Sequence, residues 1–203
     1  MNFLAIDTSA AHLTVIAQKG EKVETAFICD SLHAHSVRLM DEIDGVLSRA
    51  GLSLSECELI ASVVGAGSFT GIRIGIATVK GLCFASGVPA LAVTSFDALA
   101  YAERGGKRLA LVDAGHGYYY TCGYGEEREI LIPPAYSSKE EAERLIKGGF
   151  SAVAYEKLGL GEKIVDPAQG LLHAVRAKCG EKISPAMLHA LYIRKSSAEE
   201  NAK

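Results

Sequence analysis

The sequence predicts an α/β protein of two halves that share one order of elements, βββαβα, with residues 1–104 in the first and 105–203 in the second. Three observations lead there. A short apolar run closed by an aspartate opens each half: Phe3 to Ile6 before Asp7, and Lys107 to Val112 before Asp113. Each is followed by β-rich runs and then by a stretch whose apolar residues recur every three or four positions. Gly105-Gly106 separates the two series.

In the first half, His12 to Gln18 and Val23 to Cys29 flank Lys19-Gly20-Glu21-Lys22 and read as a hairpin. From about His33 the period changes. Val37, Met40, Ile43, Leu47 and Ala50 mark an amphipathic helix that stops at Gly51. Glu58 to Val64 is a strand, followed by a glycine-rich loop and a second helix that runs to Ser86 and stops at Gly87. Pro89 to Val93 is a further strand and Ser95 to Arg104 a helix. This order belongs to one half of the fold of actin and the sugar kinases. In the second half, Tyr118 to Tyr124 and Glu129 to Ile132 read as strands, Ser138 to Lys147 as a helix and Phe150 to Tyr155 as a strand. Ala168 to Lys178 and Ser184 to Arg194 close the chain as helices, the last of them expected to return to the first half. The repeat is one of pattern only, and the second half is short.

The chain has 203 residues, 49% apolar and 22% charged, with a formal net charge of -3. That balance is globular, with no basic stripe to advertise a nucleic acid. Five cysteines without a C-x-x-C pair read as reduced thiols of the cytoplasm. Met1 to Asp7 lacks the basic opening of a secretion signal, and no apolar run is long enough for a bilayer. Lys139, Glu140, Glu141 and Glu143 read as a solvated helix face. Tyr118, Tyr119, Tyr120 and Tyr124 read either as a base-stacking platform or as the two faces of a strand.

The most informative stretch is Gly65-Ala66-Gly67-Ser68-Phe69-Thr70-Gly71-Ile72-Arg73-Ile74-Gly75. It is not a P-loop, because no lysine follows Thr70. It misses the dinucleotide fingerprint by one residue, at Gly71, and the esterase elbow around Ser68. Behind it, Gly71, Gly75, Thr78, Gly81 and Ala85 suggest a face of small side chains. Glycine inside a helix costs about 1 kcal/mol against alanine. The return is close approach, either of a partner's helix or of the protein's own sheet.

The loop resembles the G-x-G-S-F-T-G-x-R-I-G signature of the TsaB (YeaZ-like) family, with Ala66 where proline is usual. Ile6-Asp7-Thr8-Ser9, His35-Ser36 (with Val37 in place of glutamate) and Leu191-Tyr192-Ile193-Arg194 resemble further family segments in the same order. The resemblance implies a degenerate actin-like fold (ASKHA, ribonuclease H-like). It also implies a non-catalytic scaffold for a TsaD-like subunit that forms N6-threonylcarbamoyladenosine in tRNA. Partners would be that subunit and a TsaE-like ATPase, with a homodimer when alone and tRNA met indirectly. ATP and metal would belong to the partners. The family pairs through its first two helices. Here that puts His35, Ser36, Val37, Met40, Ile43, Gly71, Arg73, Ile74, Gly75 and Thr78 at the partner face, with Gly65, Gly67, Ser68, Phe69 and Thr70 in the loop. Gly75→Arg or Thr78→Arg is then expected to abolish pairing and spare the fold.

Active members of this superfold aim an aspartate from each half at the nucleotide's metal and phosphates. Asp7, with Thr8, and Asp113 stand at those places, as vestiges of a phosphate turn or as turn caps. Gly115 replaces the family's usual arginine. No histidine pair has the H-x-x-x-H spacing of a metal site: His33 and His35 are two apart, and His116, His173 and His189 are isolated. Neither a metal nor a protease site is expected. The competing function is a small ATPase or kinase using Asp7 and Asp113. An oxidoreductase using the off-register loop is weaker, because the βββα opening argues against it.

Overall fold

The computed structural model describes residues 1–29 and 35–194. The first sheet contains β1 (Asn2–Asp7), β2 (Leu13–Lys19), β3 (Lys22–Ile28), β4 (Leu59–Val63) and β5 (Ala90–Val93), in the spatial order β3-β2-β1-β4-β5. β2 runs antiparallel to β1 and β3, whereas β1, β4 and β5 run parallel. The helices of this half are α1 (His35–Ala50), α2 (Phe69–Ser86) and α3 (Ser95–Tyr101).

The second sheet repeats the plan with β6 (Arg108–Gly115), β7 (Tyr118–Tyr124), β8 (Ile130–Ser138), β9 (Ser151–Ala154) and β10 (Lys163–Ile164), ordered β10-β9-β6-β7-β8. Read from the hairpin side, β8-β7-β6-β9-β10 matches β3-β2-β1-β4-β5 strand for strand. This is the ribonuclease H-like, actin-like architecture, twice. The remaining helices are α4 (Lys139–Lys147) and α5 (Pro167–Lys178).

The layers explain the apolar runs. Strands covered on both faces are apolar throughout, and Phe3 to Ile6 and Leu59 to Ala61 are all fully buried. One face of the first sheet packs under α1 and α2, through Leu39, Ile43, Val46, Ile72, Ile76 and Val79. Its other face packs on Leu171, Ala174 and Val175 of α5. The second sheet is covered by Phe96, Leu99 and Ala100 of α3 on one face and by α4, through Ala142, on the other. Helix α5, late in sequence, therefore completes the core of the first sheet. Asp97 ties these parts together. It closes the capping box of α3 with Thr94 and accepts hydrogen bonds from Tyr124 OH (3.0 Å) and Lys178 Nζ (3.0 Å).

Three sequence expectations need correction. Ser184 to Arg194 is not a helix: Pro185–Met187 makes one 3-10 turn and the rest is a strap. Its backbone reaches the first half instead: Leu191 N donates to Val64 O, just past β4, at 2.8 Å, and Ile183, just before the segment, exchanges both hydrogen bonds with Ala90 of β5. Strand β8 extends to Ser138, through Pro133-Pro134. Proline is tolerated there because β8 is an edge strand. Helix α3 stops at Tyr101, short of Arg104, and the two-residue β10 has no signal of its own in the sequence.

All five cysteines are free. Burial pushes the Cys57, Cys83 and Cys122 thiols up to about 11, so they stay protonated and unreactive at neutral pH. Among the described residues, no helix is long and apolar enough to cross a membrane.

Candidate functional site

The glycine loop is stitched onto the turn after β1. Ser68 N donates to Ser9 O at 2.7 Å, and Thr8 Oγ1 donates to Gly71 O at 2.7 Å. Ser95 N donates to Gly65 O at 2.7 Å and Ser95 Oγ to Ala66 O at 2.5 Å. Ser68 caps α2 by accepting from Gly71 N. The approach is too close for side chains. A Cβ on Gly67, whose φ is +144°, would stand 2.1 Å from Ser9 O, and one on Gly71 would stand 1.9 Å from Thr8 O. The signature glycines thus serve backbone contact within the chain.

Asp7 lies beneath this seam and is 1% exposed. Its Oδ1 accepts from Ser9 N (2.8 Å) and Ser9 Oγ (2.6 Å), and its Oδ2 lies 3.5 Å from His12 Nε2. Burial alone would raise the Asp7 pKa. The His12 imidazole and the two Ser9 hydrogen bonds outweigh it and hold the carboxyl below the ordinary range. A carboxyl depressed in the folded state stabilises the protein above its unfolded pKa and loses that contribution as pH falls through the folded value. Asp7→Asn should therefore flatten the decline of unfolding free energy below about pH 4, measured by urea denaturation from pH 7 to pH 3. An unchanged acid slope would remove Asp7 from the acid response.

The small-residue face of α2 divides in two. Gly71 and Gly75 point inward, and a Cβ on Gly75 would meet Thr8 Oγ1 at 2.6 Å and Ser62 Oγ at 3.4 Å. Ile43 of α1 is 1% exposed and sits in the core beside Ile72 and Ile76. These three do not face outward as the sequence suggested, because the helices rest on their own sheet. Gly81 and Ala85 point outward with Ala77, and nothing lies within 4 Å of a Cβ on Gly81. Of the other expected interface residues, Ser36, Val37 (75%), Met40 (47%) and Arg73 are exposed, while Thr78 and Ile74 are half-buried. Helix α1 begins at His35, whose side chain, like the whole of His33, lies outside the described residues. The exposed Phe84, at 67%, escaped the sequence reading because it sat in the apolar run of α2.

In the second half, Asp113 Oδ1 accepts from Gly115 N at 3.0 Å and caps the β6–β7 turn, where Gly115, His116 and Gly117 all have positive φ. Tyr119 and Tyr124 are buried, whereas Tyr118 and Tyr120 face Tyr136, at 4.7 and 5.9 Å between ring centres. A pocket of about 340 Å³ brings His12, Asp113, Tyr155 and Glu156 together between the halves. Among the described residues, no three His, Cys, Asp or Glu side chains cluster as metal ligands would.

The comparisons with known proteins fall on this same frame. A family model for TsaD, described as tRNA N6-adenosine threonylcarbamoyltransferase, matches residues 30–175. The chain is 31% identical over 148 residues to the tRNA threonylcarbamoyladenosine biosynthesis protein TsaB of Escherichia coli, covering 66% of this chain and 63% of that one. It therefore spans a little under two thirds of that relative. It is 31% identical over 148 residues to TsaB of Buchnera aphidicola, covering 71% of this chain and 68% of that one. Among solved structures, YeaZ from Pseudomonas aeruginosa matches with a TM-score of 0.75 and 25% identity, over 94% of this chain and 99% of that one.

Proposed function

The chain belongs to the TsaB family, and from that premise we propose that it is a non-catalytic adaptor in the formation of N6-threonylcarbamoyladenosine in tRNA. It would hold a TsaD-like catalytic subunit, join a TsaE-like ATPase through that subunit, and meet tRNA indirectly. ATP and metal would reside in the partners, and the complex would work in the cytoplasm, where five unpaired cysteines are at home. The observation that carries the adaptor reading is the seam itself. Gly67 and Gly71 of the family signature are taken up by close contact with Ser9 and Thr8, and Asp7 is buried beneath them, which supports a structural role for the signature.

The partner face in this reading is the outward side of α1 and α2: Ser36, Val37 and Met40 with Arg73, Ala77, Thr78 and Gly81. Exposed apolar side chains beside a stripe lacking side-chain bulk suit a second protein's helix. A tRNA-modification assay with the TsaD-like and TsaE-like proteins of the same cell tests the proposal. Product should form with this chain present and fall to background without it. Equal product in its absence overturns the adaptor role.

A second reading, a small ATPase using Asp7 and Asp113, draws on the pocket that holds His12 and Asp113. It requires ATP turnover by the chain alone, lost on Asp7→Ala. Against it, one oxygen of each carboxylate serves its own turn: Asp7 Oδ1 accepts from Ser9, and Asp113 Oδ1 from Gly115 N.

A further inference from the structure

The face of the first sheet that α5 covers carries a groove where the helix runs out. Val23 of β3 packs on α5. Side chains alternate along a strand, so Thr25 and Phe27 follow on the same face, but α5 begins only at Pro167. Thr25 and Phe27 are left to line a pocket of about 480 Å³ with Pro167, Ala168 and Leu172. This pocket adjoins the one of about 340 Å³ described above, because Phe27 and Pro167 line both. Phe27 and Ile164 of β10, which also lines the smaller pocket, are each 44% exposed.

Backbone and charge mark the groove further. β3 ends the strand order of the first sheet and β10 that of the second, so among the described residues neither has a strand neighbour on its outer side. Backbone groups on such edges can pair with an added strand. Among the described residues that line the two pockets, the carboxylates are Asp113, Glu156 and Asp166, all exposed, and none of those lining residues is Lys or Arg. Lys163, beside Ile164, is engaged by Glu103 at 2.9 Å. At the inner end, Tyr155 OH is buried with no hydrogen-bond partner among the described residues, and a donor entering the groove would satisfy it.

An apolar floor takes apolar side chains, acidic walls take cations, and open sheet edges take an extended backbone. We infer that this groove docks an extended segment of another protein that carries both apolar and Lys or Arg side chains. Its apolar side chains rest on Phe27, Leu172 and Ile164, and its cations face Asp113, Glu156 and Asp166. A nucleic acid or an anionic membrane meets repulsion from the same carboxylates. So does a second copy of this chain paired about a two-fold axis, which brings like patches together. The groove lies on the face of the first sheet opposite α1 and α2, so docking there is independent of the adaptor's partner face and compatible with it.

The test selects random nonapeptides displayed on phage against the full chain and measures the enriched sequences, resynthesised with a fluorophore, by anisotropy. They should combine apolar residues with Lys or Arg and carry net positive charge. Phe27→Ser and Glu156→Lys, both at exposed positions, should each weaken them at least about 10-fold, with an unchanged circular dichroism spectrum as the check on folding. Added salt should weaken binding to the parent, because the cations meet exposed carboxylates. The Met40→Asp, Gly81→Arg double variant, altered on the α1–α2 face, should bind the peptides as the parent does. Docking in this groove is overturned if no peptide is enriched over selection without protein, if the enriched peptides are acidic or lack apolar residues, if Phe27→Ser or Glu156→Lys binds them as the parent does, or if the α1–α2 double variant loses them. It is overturned equally if Phe27→Ser separates a homodimer of the parent in sedimentation, which would make the groove a contact between copies.

Discussion

Gly67→Ala is expected to destabilise the protein by about 3 kcal/mol or more, the sum of left-handed backbone strain and overpacking. The new methyl would lie 2.1 Å from Ser9 O, the carbonyl that accepts from Ser68 N. Retreat of the turn breaks that bond, and retreat of the loop disturbs the Ser95 contacts with Gly65 O and Ala66 O. Gly71→Ala meets Thr8 O at 1.9 Å and should be nearly as damaging. Gly81→Ala is the control. It lies within α2, as Gly71 does, but faces open space, so it should stabilise by up to about 1 kcal/mol. Urea unfolding of the three variants decides. A Gly67→Ala protein as stable as the parent would mean that the loop does not dock on the Thr8–Ser9 turn as described.

Met40→Asp combined with Gly81→Arg is expected to weaken pairing with the TsaD-like subunit, and self-pairing, by at least about 30-fold, the loss expected when a hot spot of about 2 kcal/mol is removed. Met40 is 47% exposed and Gly81 has nothing within 4 Å of its missing Cβ, so neither change should disturb the monomer. A charge placed where apolar surface must be covered is left desolvated and unpaired. Sedimentation or calorimetry with the partner measures the loss, and circular dichroism checks the fold. If the double variant pairs as the parent does, α1 and α2 are not the interface. Gly75→Arg is unsuited to this test. Its side chain would enter the core against Thr8 and Ser62, so loss of pairing would only report unfolding.

Much of the fold is legible in local pattern, because strands covered on both faces must be continuously apolar and a helix with one wet face must be periodic. Phe3 to Ile6 and Leu109 to Leu111 announce their strands this way. The segment after Ser184 misleads for the same reason. Its apolar residues Met187, Leu188 and Leu191 have helical spacing, yet Leu191 N donates to Val64 O of the other half, and Ile183 just before the segment pairs with Ala90, contacts which no local pattern can encode.

The candidate site divides along the same line. By itself the sequence determined the family, the doubled strand order and the position of the glycine signature, since each rests on residue types at fixed spacing. Only the tertiary structure decided the direction in which each glycine faces. Residues at i and i+4 share a helix face, but whether that face meets the chain's own sheet or solvent depends on how α2 is rotated over β1 and β4. Gly71 and Gly75 turned inward because the Thr8–Ser9 turn comes within bonding distance there, and Gly81, farther along α2, was left outside.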